Sequence, residues 1–225
     1  MNGDRQFATV AVLGTAQTLA WASSYYLPAM LAQPMAQELG LAAPTVFAAF
    51  SAALLMSALV GPAAGRFIDV RGGRPVLMAT SLLFAAGLAL LGLAQGLWSL
   101  LAAWLVLGAA MGCGLYEAAF ATLVRLYGVR SRSAITGITL IAGFASTVGW
   151  PLTSVFDAQF GWRGACFAWA GLHLLLGLPL NAWLPRAVAG DAVAATPPAA
   201  VGKAPAASFR PGANTVLLAF VFAAT

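Results

Sequence analysis

The chain has 225 residues, of which 61% are hydrophobic and only 8% charged. An ordinary soluble domain carries about a quarter charged residues, so a chain this poor in charge cannot clothe a water-soluble globule and belongs in a bilayer. The net charge of +5 would suit a nucleic-acid partner if its sources formed one patch; they lie scattered between apolar runs, report topology, and imply no nucleic-acid partner.

Apolar runs of the ~20 residues needed to cross a hydrocarbon core are expected at 7–30, 45–66, 75–95, 98–126, 133–156 and 163–184. A seventh begins near Gly212 and reaches Thr225, about 13 residues, or roughly 20 Å of helix against a core about 30 Å thick.

The first run is too long and too polar for a cleavable signal peptide, and further spans follow it; it reads as a permanent helix. It carries Gln17, Thr18, Ser23, Ser24, Tyr25 and Tyr26. Gln17, Trp21, Ser24 and Pro28 recur at intervals of three and four and share one face. Against lipid such a face would waste its hydrogen-bonding groups, which leaves two uses: lining a wet cavity, or joining helices.

Between the second and third spans, residues 65–74 read GRFIDVRGGR. So short a connection forces an antiparallel helix pair and places Arg66, Asp69, Arg71 and Arg74 at one membrane face. The spacing of Gly65, Asp69, Gly72 and Arg74 resembles the signature between the second and third helices of major facilitator superfamily transporters, G-x-x-x-D-R/K-x-G-R-R/K. It departs at Val70, where that signature has a basic residue (Arg71 comes one place later), and at Gly73, which replaces the first Arg. The resemblance covers essentially the whole chain. It implies an all-α membrane protein: an N-terminal six-helix bundle built as a 3+3 inverted repeat (1–184), a cytoplasmic linker (185–211) and the start of a seventh helix (212–225). It also implies that Gly65, Asp69, Arg71, Gly72 and Arg74 form a gate latch, which holds the cytoplasmic side shut against a second bundle and releases as the bundles rock.

Ionisable groups deep in a span are costly and are functional candidates by default. Glu117 in the fourth span and His173 in the sixth qualify. In the resembled family the first and fourth helices line the central cavity, so the resemblance makes Gln17, Ser24, Tyr25, Tyr116 and Glu117 a candidate substrate or proton pathway, with Glu117 exchanging a proton as access alternates. The competing reading pairs Glu117 with Arg71 or Arg74. His173 is expected to be a satisfied packing residue, because the sixth helix is peripheral to the cavity in that fold. Gly61 and Gly65, and Gly108 and Gly112, stand at the interval that lets helix backbones approach closely. Cys113 and Cys166 lie inside spans and read as small buried residues with no disulfide between them.

In the fifth span, Thr136, Thr139, Ser146 and Thr147 run toward Gly149-Trp150-Pro151, where the proline can kink the helix. The glycine-rich antiporter pattern is matched only loosely. The stretch 134–164, with Phe160-Gly161-Trp162-Arg163, resembles the branch of monocarboxylate and oxalate/formate carriers. An internal echo relates Val60-Gly61-Pro62, Asp69, Gly72 and Arg74 to Val148-Gly149-Trp150-Pro151, Asp157, Gly161 and Arg163. Three spans separate the copies and put them on opposite faces, as an inverted repeat requires. Arg163 is then expected either to pair with Asp157 or to anchor the interface.

Of the eleven basic residues all but Arg163 fall on alternate connections. Short Lys- and Arg-bearing loops stay cytoplasmic, so a cytoplasmic N-terminus is expected in a plasma membrane, the inner membrane of a bacterium. Prolines 185, 197, 198, 205 and 211 mark the linker. The implied function is secondary transport of a small solute by alternating access, coupled to protons. The chain has no GxxxxGK[ST] loop for ATP, no nucleophile or metal set for an enzyme, and no cofactor motif. Its partners would be the bilayer, the solute, and either a C-terminal six-helix half or a second copy. The alternative is a non-transporting half, an assembly module or pseudogene product. Neutral polar residues and one acid do not define the solute.

Overall fold

The computed structural model describes residues 3–186. Of the expected linker only Pro185 and Arg186 fall within it; the rest of the linker and the seventh helix lie outside the described residues. Helices account for nearly all of the described chain: α1 (Gly3–Ser23), α2 (Leu27–Leu39), α3 (Ala43–Arg71), α4 (Gly73–Gly92), α5 (Leu97–Gly114), α6 (Tyr116–Tyr127), α7 (Ser131–Ala142), α8 (Ala145–Leu172) and α9 (Leu178–Trp183). Ala43–Arg71, Gly73–Gly92 and the run Leu97–Trp183 are long and apolar enough to cross a membrane.

Several expected spans are interrupted. The first run breaks after Ser23 and resumes as α2, which continues past residue 30 to Leu39. Pro28 explains the break: it has no N–H for the Ser24 carbonyl, and its ring would collide with that oxygen in a continuous helix. Leu27 N–H donates to the Ser24 carbonyl instead, at 3.3 Å. The hydroxyls of Ser23 and Ser24 bond back to Leu19 O and Ala20 O, at 2.8 and 2.6 Å, which satisfies carbonyls at the broken end. The fourth run breaks at Leu115, whose backbone is extended (φ −83°, ψ −160°). The fifth breaks at Gly143–Phe144, before the expected kink site Pro151, which lies inside α8.

The stretch 65–74 is not a loop. α3 runs through Gly65, Asp69 and Arg71, and one residue, Gly72, turns the chain into α4. Its φ of 85° and ψ of 160° lie in a region open essentially to glycine alone. Gly161, 89 positions later and aligned with Gly72 in the internal echo, makes the corresponding turn inside α8 with φ 68° and ψ 171°. Two single-glycine joints of one conformation, at the two places the echo pairs, give the sequence repeat a backbone counterpart.

Close packing falls on part of the glycine pattern. A Cβ on Gly112 would sit 2.5 Å from Ser57 O, and one on Gly108 would meet the Ala53 backbone, so α5 lies directly on α3. Gly61 has only an ordinary 3.7 Å neighbour and Gly65 has none within 4 Å; these two do not serve the close approach. Gly73, where the family signature carries Arg, abuts Thr122 of α6 so closely that no side chain fits.

The larger core joins α1–α5 with α8 around Trp104, Trp169 and Phe84, and a second cluster gathers Leu13, Ile68, Leu77, Leu123 and Ile138.

Candidate functional site

Two of the interrupted helices meet. The turn between α1 and α2 and the break between α5 and α6 come together where the Trp21 and Tyr116 ring centroids lie 4.8 Å apart. Rings continue from there in both directions. Trp21 contacts Tyr25 at 5.1 Å, Tyr25 contacts Phe50 of α3 at 5.6 Å, and Tyr116 stacks on Phe120 at 5.2 Å and 9°. Tyr26 reaches Trp150 of α8 at 6.4 Å. Tyr25 is 41% exposed, so the wall is open on one side. Tyr116 opens α6 within the fourth run, and its role here is geometric.

The expected pathway residues divide on this wall. Tyr25 and Tyr116 belong to it; Glu117 follows Tyr116 in the first turn of α6 and is exposed. Among the described residues Glu117 makes no ion pair with Arg71 or Arg74; the salt bridge found among them joins Arg163 to Glu38. Gln17 and Ser24 do not face the open side. Gln17 is 2% exposed and Ser24 fully buried, Gln17 Nε2 donating to Gly114 O at 2.7 Å and Ser24 bonding within its own turn. The polar face of the first helix is therefore spent inside the bundle, the joining use of the two weighed from sequence, and Gln17 ties α1 to the very break that presents Glu117.

At the other group of candidates, Arg125 of α6 donates to the Asp69 carbonyl and, at 3.4 Å, to the Val70 carbonyl. It caps the last turn of α3 with a cation, as the helix dipole favours. The Asp69 carboxylate is exposed and has no salt-bridge partner among the described residues. Arg71 lies over the Phe67 ring at 4.6 Å. Arg71, Arg74 and Arg186 share an open pocket of about 340 Å³ with Gly72, Pro75 and Met78. The latch candidates are thus displayed, with Asp69 held in place through its backbone.

A family profile described as Major Facilitator Superfamily matches residues 13–225. The chain belongs to the major facilitator superfamily. A comparison with curated proteins returned no match. Family membership makes it an integral membrane protein and a transporter in the general sense, with a bilayer around it and a small solute as cargo.

Within this superfamily member, the opposite end carries a contact that sequence reading missed. Arg163 pairs with neither Asp157 nor the interface alone. Its Nε donates to Glu38 Oε1 at 2.7 Å and its Nη1 to Gly92 O at 2.7 Å, while the Trp162 indole N–H donates to Glu38 Oε2 at 2.5 Å. Arg163 also lies over the Trp162 ring at 4.3 Å. Arg163, just past the Gly161 joint, therefore clasps the end of α2 through the Glu38 carboxylate and the end of α4 through the Gly92 carbonyl. The hydrogen bond from Arg163, then that from Trp162, holds the Glu38 carboxyl below the usual carboxylate range. The signal was present: Glu38 is an acid on the same face as the lone basic residue there, but a count of basic residues alone passes over it. His173 is buried, 2.7 Å from Ser23 Oγ and stacked on Phe84 at 4.8 Å, a packed and partnered residue as expected.

Proposed function

We propose that this protein is a secondary active transporter that moves a small solute by alternating access and couples the movement to protons, with Glu117 as the proton carrier. One observation carries the reading: two discontinuous helices, α1/α2 and α5/α6, meet at an open aromatic wall, with the exposed Glu117 in the turn that follows the second break. Interrupted helices with exposed backbone and side-chain groups at their breaks are how transporters build solute sites inside a bilayer. A carboxylate there is costly while charged and unpaired, so it favours a proton or a cationic partner as its surroundings alternate between open and closed. Tyr25 and Tyr116 supply contact area with a hydroxyl at one end.

The scattered arginines support a cytoplasmic N-terminus, with six crossings before the linker and with the Asp69, Arg71 and Arg74 group on the cytoplasmic side, where it latches against a second bundle. In that orientation the Glu38–Arg163 clasp faces outward. Membership of the superfamily favours transport over a non-transporting assembly module.

The test uses the complete reading frame, reconstituted in proteoliposomes with a trapped pH indicator and screened against a panel of small acids, amines and neutral solutes. Wild type should show solute-dependent proton movement, and Glu117→Gln should retain solute binding with proton movement abolished. Proton-coupled transport that survives intact in Glu117→Gln would remove Glu117 from the mechanism.

A further inference from the structure

Behind the aromatic wall, α1, α4 and α9 enclose a separate polar chamber of about 10 Å³, lined by Gln17, Thr80, Ser81, His173 and Asn181. Such a volume holds about one water molecule. Two polar atoms there are buried without any hydrogen-bond partner, Gln17 Oε1 and Asn181 Oδ1, on residues 2% and 7% exposed. Their amide nitrogens are already committed: Gln17 Nε2 to Gly114 O, and Asn181 Nδ2 to Ser81 Oγ and Leu77 O, at 2.9 and 3.1 Å. Exchanging O and N in either amide would bring an oxygen against a carbonyl, so these orientations are fixed.

The third wall is His173. Ser23 Oγ lies 2.8 Å from Leu19 O and shares a 2.7 Å hydrogen bond with His173 Nε2. A methyl group at Gly177 would lie 3.3 Å from His173 Nδ1 and 3.6 Å from Ser81 Oγ, so both atoms face the same small space. The two unpartnered atoms of the chamber are both acceptors that need a hydrogen-bond donor.

We propose that this chamber is a binding site for one internal water, which donates its two protons to Gln17 Oε1 and Asn181 Oδ1. The unpartnered atoms point to the class of guest: two buried amide oxygens without a donor and room for one molecule suit a water's two O–H groups. A metal cation would also be drawn to these oxygens, but no carboxylate lines the chamber, and an unpaired charge among buried neutral groups is heavily penalised. The water completes a polar chain through the bundle. On one side Gln17 holds Gly114 at the α5/α6 break; on the other His173 holds Ser23 at the α1/α2 break; Asn181 brings in α9 beyond the π-helical turn His173–Gly177. The water thus ties α9 to Gln17, the residue of α1 that holds the α5/α6 break, whatever solute the protein carries.

A density map of the complete wild-type protein, at a resolution where other ordered waters are visible, should show one peak within about 2.7–3.0 Å of both amide oxygens. An empty chamber would overturn the proposal. Thermal unfolding in sodium chloride and in choline chloride at equal ionic strength should give the same midpoint; a midpoint raised by sodium alone would make the guest a cation and overturn the assignment to water. In a double-mutant cycle, Gln17→Leu and Asn181→Leu should together lower the midpoint by clearly less than the sum of their separate losses, because either one removes the shared water. Additive losses would contradict a common guest.

Discussion

The contact of α5 on α3 can be weighed by a pair of glycine substitutions. In Gly112→Ala the new Cβ would stand 2.5 Å from Ser57 O and 3.0 Å from Ser57 Cα, whereas a comfortable carbon–oxygen contact is about 3.3 Å or more. The shortfall of roughly 0.8 Å falls on backbone atoms, so no side chain can swing aside and the two helices must separate. Overpacking of this kind costs about 1–3 kcal/mol. Alanine also gains about 0.5–1 kcal/mol over glycine in any helix interior, which obscures the effect in a single variant. Gly65→Ala is the control, since Gly65 lies inside α3, the helix that α5 packs on, with open space around it. The propensity gain then cancels between the two variants and leaves the packing cost. At about 2–4 °C per kcal/mol for a domain of this size, Gly112→Ala should melt about 2–12 °C below Gly65→Ala. Intrinsic tryptophan fluorescence of the detergent-solubilised complete protein, heated in parallel, measures it. Equal midpoints, or a higher one for Gly112→Ala, would refute the close helix contact.

The single-glycine joints give a second expectation: Gly72→Ala and Gly161→Ala should each cost about 1–3 kcal/mol, since both demand a backbone conformation open almost only to glycine, and thermal midpoints would show it. At the outer clasp, the Glu38 carboxyl is held below its ordinary value, so the stabilisation it brings is fully present above the usual carboxylate pKa of about 4.3 and is lost as pH falls through the lowered folded value. Glu38→Gln should therefore melt below wild type at pH 7, and the gap should close in strongly acidic buffer; a gap independent of pH would place the effect elsewhere. Arg125→Met should destabilise the protein by about 1–2 kcal/mol through loss of the charged cap on α3. Asp69→Asn should leave the midpoint within about 0.5 kcal/mol of wild type and impair transport, a split read by unfolding and flux assays on the same preparations.

The helical class and the approximate positions of the apolar runs were legible because each run is long enough to satisfy a bilayer by itself. The interruptions were not, because hydropathy measures transfer of side chains and is blind to backbone carbonyls. The break at Ser24 rests on Pro28, a local cause visible in sequence. The break at Leu115 depends on Gln17 reaching Gly114, almost a hundred residues away, and on the close fit of Gly114 against Thr80 and Phe84. Charges at 66–74 suggested a loop, yet Arg and Asp are compatible with helix, and α3 carries them to its last residue. Pairing suffered most: Glu38 and Arg163 are joined only by the folded chain. In contrast, the echo between Gly72 and Gly161 was visible from spacing and has a matching backbone geometry.

The central claim, that the aromatic wall lines an alternately opened path, can be tested without knowing the solute. Tyr25→Cys, in a background with Cys113→Ser and Cys166→Ala, would be probed with a membrane-impermeant maleimide applied to vesicles of each orientation, with and without an imposed pH gradient. The account predicts labelling from both sides of the membrane, in proportions that shift with the gradient. Labelling from one side only under every condition, or from neither, would contradict it.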